Sequence, residues 1–324
     1  MTPVAPLVAM TATTWDAALA ETLSRSRDPR SPFGVPGVVH SVHRRVVNLR
    51  FGDHLIALAD DRLDDAPWTV RVPRAQWAQL RPGVGDAAHA TPSEIRIDSR
   101  EAGWAIHLEE AGCWLPAAAD LAGLGRTALV DAHATLSLFR AQTPQTAFGR
   151  ASAALLGEGL SRLRHASVAL LRGGPGAPVE EAAERLTGLG EGLTPSGDDI
   201  LTGLAFLAAH ESSGLTALMR PLRHAVEIAG SRTTMLSVVT LRAAVAGRGR
   251  ASMHDLALAL GSQDLASLND AAGRILAIGH SSGADILTGM RLALELAAGA
   301  RRPRVPEHDL ALALEPLDPK ENTR

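Results

Sequence analysis

The stretch SGDDILTG, residues 196–203, returns almost unchanged as SGADILTG at residues 282–289. Seven of the eight residues are identical, and each copy opens a segment whose apolar residues recur at helical spacing. Small residues at matched positions favour close packing between two helices. The repeat therefore predicts two helices that begin alike and whose starts lie within about one helix diameter, on the order of 10–12 Å.

Both copies fit a local capping motif, in which a serine precedes an acid by three residues. Ser196 would pair with Asp199 in the first helix, and Ser282 with Asp285 in the second. The acids would also complement the positive end of each helix dipole. This interpretation does not account for Asp198. We therefore expect Asp199 and Asp285 to be partly structural and Asp198 to face a pocket.

The first copy follows a glycine-rich segment, GLGEGLTP, at residues 188–195. A glycine-rich loop that enters a helix leaves backbone amides pointing at one spot, which is a common anion-binding arrangement. The adjacent acids would repel a bare phosphate unless Mg²⁺, an arginine or substrate N–H groups lay between them. The predicted substrate-binding residues are Gly190, Gly192, Thr194, Ser196, Gly197, Ser282 and Gly283.

Three further residues are candidates for the chemistry. Arg242 falls on the apolar stripe of the helix in TTMLSVVTLRAA, residues 233–244, with Arg232 near the same face. Each guanidinium either reaches the surface or binds an anionic substrate. His280 precedes the second motif and is either a structural hydrogen bonder or a proton shuttle. The predicted catalytic residues are Asp198, Asp199, His280 and Asp285, with Asp198 and Asp199 as the candidate ligands if Mg²⁺ is bound.

Composition excludes several classes of protein. The 324 residues carry a net charge of −3, so there is no basic footprint for nucleic acid. No apolar run is long enough for a membrane span, and the start lacks the basic region of a signal peptide. The single cysteine, Cys113, excludes an intrachain disulfide, and its acidic neighbours argue against a nucleophilic thiol. We expect a cytoplasmic protein.

The hydrophobic period changes near residue 118. Before it, Val-rich and alternating segments predict strands, including a hairpin of 37–51 with 54–60 and another of 94–98 with 104–108. After it, nearly every segment has helical spacing. The sequence therefore predicts an α+β fold, a small β-rich domain followed by a larger helical one. Its expected parts are an N-terminal arm with a short helix (1–33), a β-rich domain (34–117), a helical domain (118–316) and a polar tail (317–324).

The segments GLGEGLTPSGDDILTG (188–203) and GHSSGADILTG (279–289) resemble the AllH-like family of bacterial proteins. GVVHSVHRRVVNL (37–49) and TTMLSVVTLRAA (233–244) resemble further parts of the same family. The family includes a subunit of oxamate carbamoyltransferase, from anaerobic allantoin degradation in purine catabolism. That enzyme exchanges a carbamoyl group between oxalurate and phosphate, giving oxamate and carbamoyl phosphate. The resemblance implies a transferase subunit that binds a small anionic substrate and works with other protein subunits.

Two other functions fit the same residues. The chain would be a structural or regulatory subunit that binds a small anion and shapes the active site of a partner. Alternatively, it would be a metal-dependent hydrolase that uses Asp198 and Asp199. No defensible Ser-His-Asp or Cys-His arrangement is present, so the sequence predicts no covalent intermediate.

Overall fold

The computed structural model describes residues 6–25, 34–139 and 147–301. Strands fill the N-terminal part and helices fill the remainder, which confirms the predicted α+β class. The strands are β1 (Leu7–Thr11), β2 (Thr14–Asp16), β3 (Val35–Val42), β4 (Val46–Phe51), β5 (His54–Asp60), β6 (Thr69–Val72), β7 (Ala87–Ala90), β8 (Glu94–Asp98), β9 (Gly103–His107) and β10 (Gly112–Trp114).

The ten strands form one sheet in the order β1-β9-β8-β7-β3-β4-β5-β6-β2-β10. Only two residues separate β1 from β2 in the chain, yet these strands lie towards opposite ends of the sheet. Ala12 donates its N–H to His107 O at 2.9 Å, and Thr13 donates to Arg71 O at 2.8 Å. This crossing requires the sheet to curl into a half-barrel.

The N-terminal arm differs from its prediction. A short helix was expected there, and α1 spans Ala18–Arg25. However, β1 and β2 precede that helix and belong to the sheet, so the arm is part of the β structure. Short strands with distant partners leave little local pattern. The boundary at residues 117–118 stays a prediction, and the ends of the arm at 1–5 and 26–33 lie outside the described residues.

The two expected hairpins are confirmed, although the segment 37–51 forms two antiparallel strands, β3 and β4, and not one. β4 and β5 pair antiparallel across Gly52 and Asp53, and β8 pairs antiparallel with β9. A short helix, α2 (Arg74–Trp77), lies between β6 and β7. Buried side chains of the sheet, α1 and α2 form a core of their own, separate from the core of the helices.

The helical part packs around α6 and α11, the two helices that begin with the repeated motif. A Cβ at Gly203 would lie 2.0 Å from Ile286 O, and a Cβ at Gly289 would lie 1.9 Å from Ile200 O. Only glycine permits this reciprocal approach. The helices are α3 (Arg126–Leu136), α4 (Ala147–Leu171), α5 (Ala177–Leu186), α6 (Ser196–Ala208), α7 (Met219–Ile228), α8 (Met235–Val245), α9 (Ala251–Ser262), α10 (Leu265–Leu276) and α11 (Ser282–Ala300).

The polar tail at 317–324 and the end of the helical domain at 316 lie outside the described residues. Within the described residues, no helix combines the length and the apolar character needed to cross a membrane.

Candidate functional site

A cavity of about 530 Å³ lies between the curled sheet and the helices. Its volume falls within the range of about 300–1,000 Å³ that is usual for small-molecule sites. The sheet supplies a largely apolar wall, and the starts of α6 and α11 form the floor with the loop between α8 and α9 beside them. Polar and charged residues that line it include Asn48, Thr194, Asp199, Thr202, Arg248, Arg250, His280 and Ser282.

Contacts on the floor of the cavity confirm that the two matched motifs are neighbours. The Thr194 hydroxyl lies 3.0 Å from the Ser282 hydroxyl, and it donates to Asp199 Oδ2 at 3.0 Å. These contacts join the start of α6 to the start of α11. The repeat therefore builds one shared surface from segments that lie far apart in the chain.

Asp199 is the acid of this surface that reaches the cavity. Burial raises the pKa of its carboxyl to about 8, while hydrogen bonding by the Ser282 and Thr194 hydroxyls offsets part of that rise. The nearby charges of Asp285 and Asp198 raise the pKa further. At neutral pH the carboxyl therefore keeps its proton and is able to donate a hydrogen bond to a ligand.

Asp285, its counterpart in the second motif, lies outside the cavity lining. Burial raises its pKa to about 6, and the Ser196 hydroxyl lowers it in part. Its Oδ2 atom finds no hydrogen-bond partner among the described residues. Each motif therefore directs its serine towards the acid of the other motif.

The predicted capping within each helix is wrong. The N-cap of α6 is Pro195 and that of α11 is Ser281, and neither helix start has a capping side-chain hydrogen bond. Because Pro195 occupies the N-cap position, Ser196 already lies within the first turn of its helix. Its hydroxyl therefore reaches the neighbouring helix instead of a local amide.

The predicted division between the two adjacent acids is also wrong. Asp198 Oδ1 accepts the Gly188 N–H at 2.9 Å, and Asp198 Oδ2 accepts the Thr233 hydroxyl. Asp198 thereby ties the glycine-rich loop to the start of α8 and does not line the cavity. Successive residues on a helix diverge by about 100°, so Asp199 takes the cavity-facing position.

The same arrangement bears on the Mg²⁺ hypothesis. Both oxygens of Asp198 already accept hydrogen bonds from the chain, so this acid and Asp199 do not present a paired ligand set. Among the described residues, no group of three or more His, Cys, Asp or Glu side chains is placed to hold a metal ion. The side chains present here do not fit a Mg²⁺ site.

The glycine-rich loop combines close packing with an opening to the cavity. Gly190 has a φ of 129°, and a Cβ there would lie 2.6 Å from Ser196 N. Gly192 has a φ of 96°, lines the cavity and has open space around it. Of the two predicted loop residues, Gly192 therefore reaches the cavity and Gly190 serves the turn.

Two other backbone amides that were predicted to bind substrate already donate hydrogen bonds within the protein. Gly197 donates its N–H to Leu189 O at 2.8 Å, and Gly283 donates to Ile278 O at 3.0 Å. Both glycines are buried against neighbouring helices. The predicted substrate-binding residues that line the cavity are Gly192, Thr194 and Ser282.

The arginines of the site are not those predicted. Arg242 is exposed and does not line the cavity, while Arg232 pairs with Glu184 at 3.1 Å. Arg248 and Arg250 line it instead, from the loop between α8 and α9. Their sequence signal is GRGR at residues 247–250, a basic loop marked by glycines.

A threonine of α6 supplies another polar group that sequence reasoning missed. Thr202 lines the cavity with an exposed fraction of 2%. Its hydroxyl has no hydrogen-bond partner among the described residues. A buried hydroxyl without a partner is costly, so this group suits a ligand that supplies the missing bond.

His280 is exposed where it lines the cavity, and Cys113 is exposed elsewhere, in β10.

Comparison with known families matches both parts of the molecule. Residues 186–294, which include both motifs, match the family described as oxamate carbamoyltransferase subunit AllH. Residues 11–113, which include most of the sheet, match the AllH family N-terminal domain. No solved structure gives a significant match to the chain. Since the two matches together cover most of the sequence, the chain belongs to the AllH family.

Proposed function

We propose that the chain is a subunit of a carbamoyltransferase and that the cavity binds its small carboxylate substrates, such as oxamate and oxalurate. The observation that carries the proposal is the position of the Asp199 carboxyl, which is buried and bonded to Thr194 on the floor of a cavity that includes the family's matched region. The cavity is large enough for a carbamoyl donor and its acceptor together. A cytoplasmic location belongs to the same proposal.

The reaction cleaves the C–N bond between the carbamoyl group and the oxamate nitrogen. A phosphate oxygen forms the new bond to the carbamoyl carbon, and the nitrogen of departing oxamate gains the proton that phosphate loses. Negative charge develops on the carbamoyl oxygen during the attack. A hydrogen bond from the protonated Asp199 would stabilise that oxygen in a site shielded from water.

The other residues would orient the reactants and move protons. The Thr202 hydroxyl lacks a partner among the described residues and would bond the substrate directly. Thr194 and Ser282 would keep the Asp199 carboxyl in place. His280, exposed beside the cavity, would carry the proton to the departing nitrogen.

The description of the matching family as a subunit supports a role within a complex with other proteins. Turnover by the complex tests whether this chain contributes catalytic groups. The assay would follow phosphate release from carbamoyl phosphate with oxamate as acceptor, using the chain alone and the chain purified with its partner subunits.

The decisive variant is Asp199→Ala, which removes the carboxyl and with it the hydrogen-bond donor. We expect turnover to fall by about 10²-fold or more, as for the loss of an oxyanion donor. Asp255→Ala is the control because Asp255 forms an exposed ion pair with Arg274 on α9 and α10. Full turnover by the Asp199→Ala complex would instead support a non-catalytic subunit that shapes a partner's active site.

A further inference from the structure

The Arg248 side chain is held from two sides by residues of the sheet region. Its Nη2 donates to Asp16 Oδ1 at 2.5 Å, and its guanidinium carbon lies 5.4 Å from the centre of the Trp68 ring. The Asp16 side chain is fully buried, whereas the Arg248 side chain remains 22% exposed and lines the cavity. Asp16 therefore fixes the guanidinium of a side chain that lines the cavity and remains accessible to a ligand.

Trp68 adopts a backbone conformation that is unfavourable for a bulky residue. Its φ is 51°, and the only other non-glycine residue with a positive φ in the described part of the chain is Gln263. The Trp68 N–H donates to Asp16 Oδ2 at 2.6 Å, so the same carboxylate holds both Trp68 and Arg248. Strain of this kind persists where surrounding contacts impose it, and it concentrates at ligand-binding sites.

The loop that carries Arg248 is fixed at its middle as well. Gly249 donates its N–H to His254 Nε2 at 3.2 Å. Burial lowers the pKa of His254 to about 4, with smaller effects from His210 and Arg248, so the ring stays neutral and accepts this bond. The guanidinium therefore projects from a rigid loop, which reduces the entropy lost when a ligand binds.

A guanidinium has five N–H donors, and Asp16 is the one hydrogen-bond partner of the Arg248 side chain found in the described residues. Arg250, beside it, is engaged with Asp64 at 2.6 Å. The Asp199 carboxyl on the floor carries a proton and therefore offers a neutral hydrogen-bonding group at another part of the cavity. The cavity thus combines the Arg248 guanidinium, which has N–H donors without a protein partner among the described residues, with the separate neutral donor of Asp199.

We propose that Arg248 binds the anionic end of the ligand and that Asp16 and Trp68 are its positioning residues. The ligand class is a small molecule with a carboxylate at one end and a neutral amide or carbonyl at the other. The assignment rests on the proposed function of the cavity. It makes the sheet region a direct contributor to the site, because the anion-binding group is set by residues from the opposite domain.

Calorimetry with two probes of nearly equal size tests the assignment. Oxamate carries a carboxylate, and oxamide replaces that carboxylate with an amide. The full-length chain would be titrated as wild type, as Arg248→Gln and as Arg242→Gln, the last of which removes an exposed arginine outside the cavity. Arg248→Gln should weaken oxamate binding by about tenfold or more, the usual effect of losing a charged hydrogen bond, and leave oxamide binding nearly unchanged.

A second variant separates binding from folding, because Arg248→Gln leaves the buried Asp16 without its charge partner. The double variant Asp16→Asn with Arg248→Gln removes both charges and keeps an acceptor for the Trp68 N–H. It should fold, bind oxamide and still bind oxamate weakly. If either variant binds oxamate with wild-type affinity, the role of Arg248 is overturned but the proposed function is not. Binding of neither probe to the wild type overturns this assignment and the proposed function together.

Discussion

The two copies of the repeated motif differ at one residue in eight, yet they contribute differently to the site. In α6, Asp199 lines the cavity and has a pKa raised to about 8. In α11, the equivalent Asp285 lies behind the cavity and has a pKa raised to about 6. The carboxyl of Asp199 is the more strongly perturbed because it is buried beside two other acids.

The residues around each motif account for the difference. Thr194 precedes the first motif and bonds Asp199, whereas His280 holds the equivalent place before the second and is exposed. Thr202 has a hydroxyl without a partner in the described residues, whereas its counterpart Thr288 donates to Ala284 O at 2.9 Å. The shared residues bring the two helix starts together, and the residues that are not shared decide which copy meets a ligand.

The largest loss of stability should come from preventing the close contact between α6 and α11. In Gly203→Ala the new Cβ would lie 2.0 Å from a backbone carbonyl of α11, which cannot move without shifting the helix. We expect the free energy of unfolding to fall by about 3 kcal/mol or more, measured by chemical denaturation. Gly157→Ala is the control, since its Cβ would meet open space in α4 and alanine favours a helix by up to about 1 kcal/mol. Equal stability of the two variants would contradict the tight crossing.

The pH dependence of stability should separate the two acids. Between the ordinary pKa of 3.8 and about 8, the unfolded chain releases a proton that folded Asp199 keeps, so stability falls as the pH rises through this window. The slope for one group is at most about 1.4 kcal/mol per pH unit. For Asp285 the corresponding window ends at about 6. Asp199→Asn should therefore remove the decline from about pH 6 to about pH 8. If Asp285→Asn removes it instead, the two pKa assignments are reversed.

A smaller loss of stability is expected from the acid that only the first copy has. Asp198→Ala removes the acceptor for Gly188 N–H and the Thr233 hydroxyl. The expected cost is about 1–3 kcal/mol in thermal or chemical unfolding, because two half-buried donors lose their partner. Asp255→Ala again serves as the exposed control. Unchanged stability together with lost oxamate binding would show that Asp198 faces the ligand after all.

The smallest expected effect is a difference in stability between substitutions of the two matched threonines, Thr202 and Thr288. Thr202→Val removes a buried hydroxyl that has no partner in the described residues, so stability should stay equal or rise by up to about 1 kcal/mol. Thr288→Val removes the bond to Ala284 O and should lower stability by about 1 kcal/mol. Thermal melts of both variants measure the contrast. Equal destabilisation would mean that the Thr202 hydroxyl is bonded within the protein.

The sequence predicts those parts of the fold that depend on local pattern. Alternation identifies the hairpins of β4–β5 and β8–β9, and the repeat places α6 beside α11. β1 and β2 escape prediction because they are short and one pairs with a strand remote in sequence, as in the register of Leu7 with Gly103. No local signal reveals that pairing.

The candidate site also divides into residues that a local motif predicts and residues that depend on distant partners. Asp199, Thr194, Ser282, Gly192 and His280 are nominated from the motifs and do line the cavity. Periodicity placed Arg242 on an apolar face, but the structure leaves it exposed. Arg248 escapes prediction because its partner Asp16 lies near the opposite end of the chain. The capping prediction fails because it assumed local partners for side chains that bond across two helices.

The central claim is that Asp199, and not Asp285, is the protonated group that meets the ligand. Calorimetric titration of oxamate into wild type, Asp199→Asn and Asp285→Asn across pH tests it most directly. Wild-type affinity should fall as the pH rises through about 8, because the ionised carboxylate would repel the anion. Asp285→Asn should keep the fall in affinity, with its midpoint at a lower pH because the charge of Asp285 no longer raises the pKa of Asp199. Asp199→Asn should bind oxamate independently of pH. A wild-type profile in Asp199→Asn, or its loss in Asp285→Asn, would contradict the account.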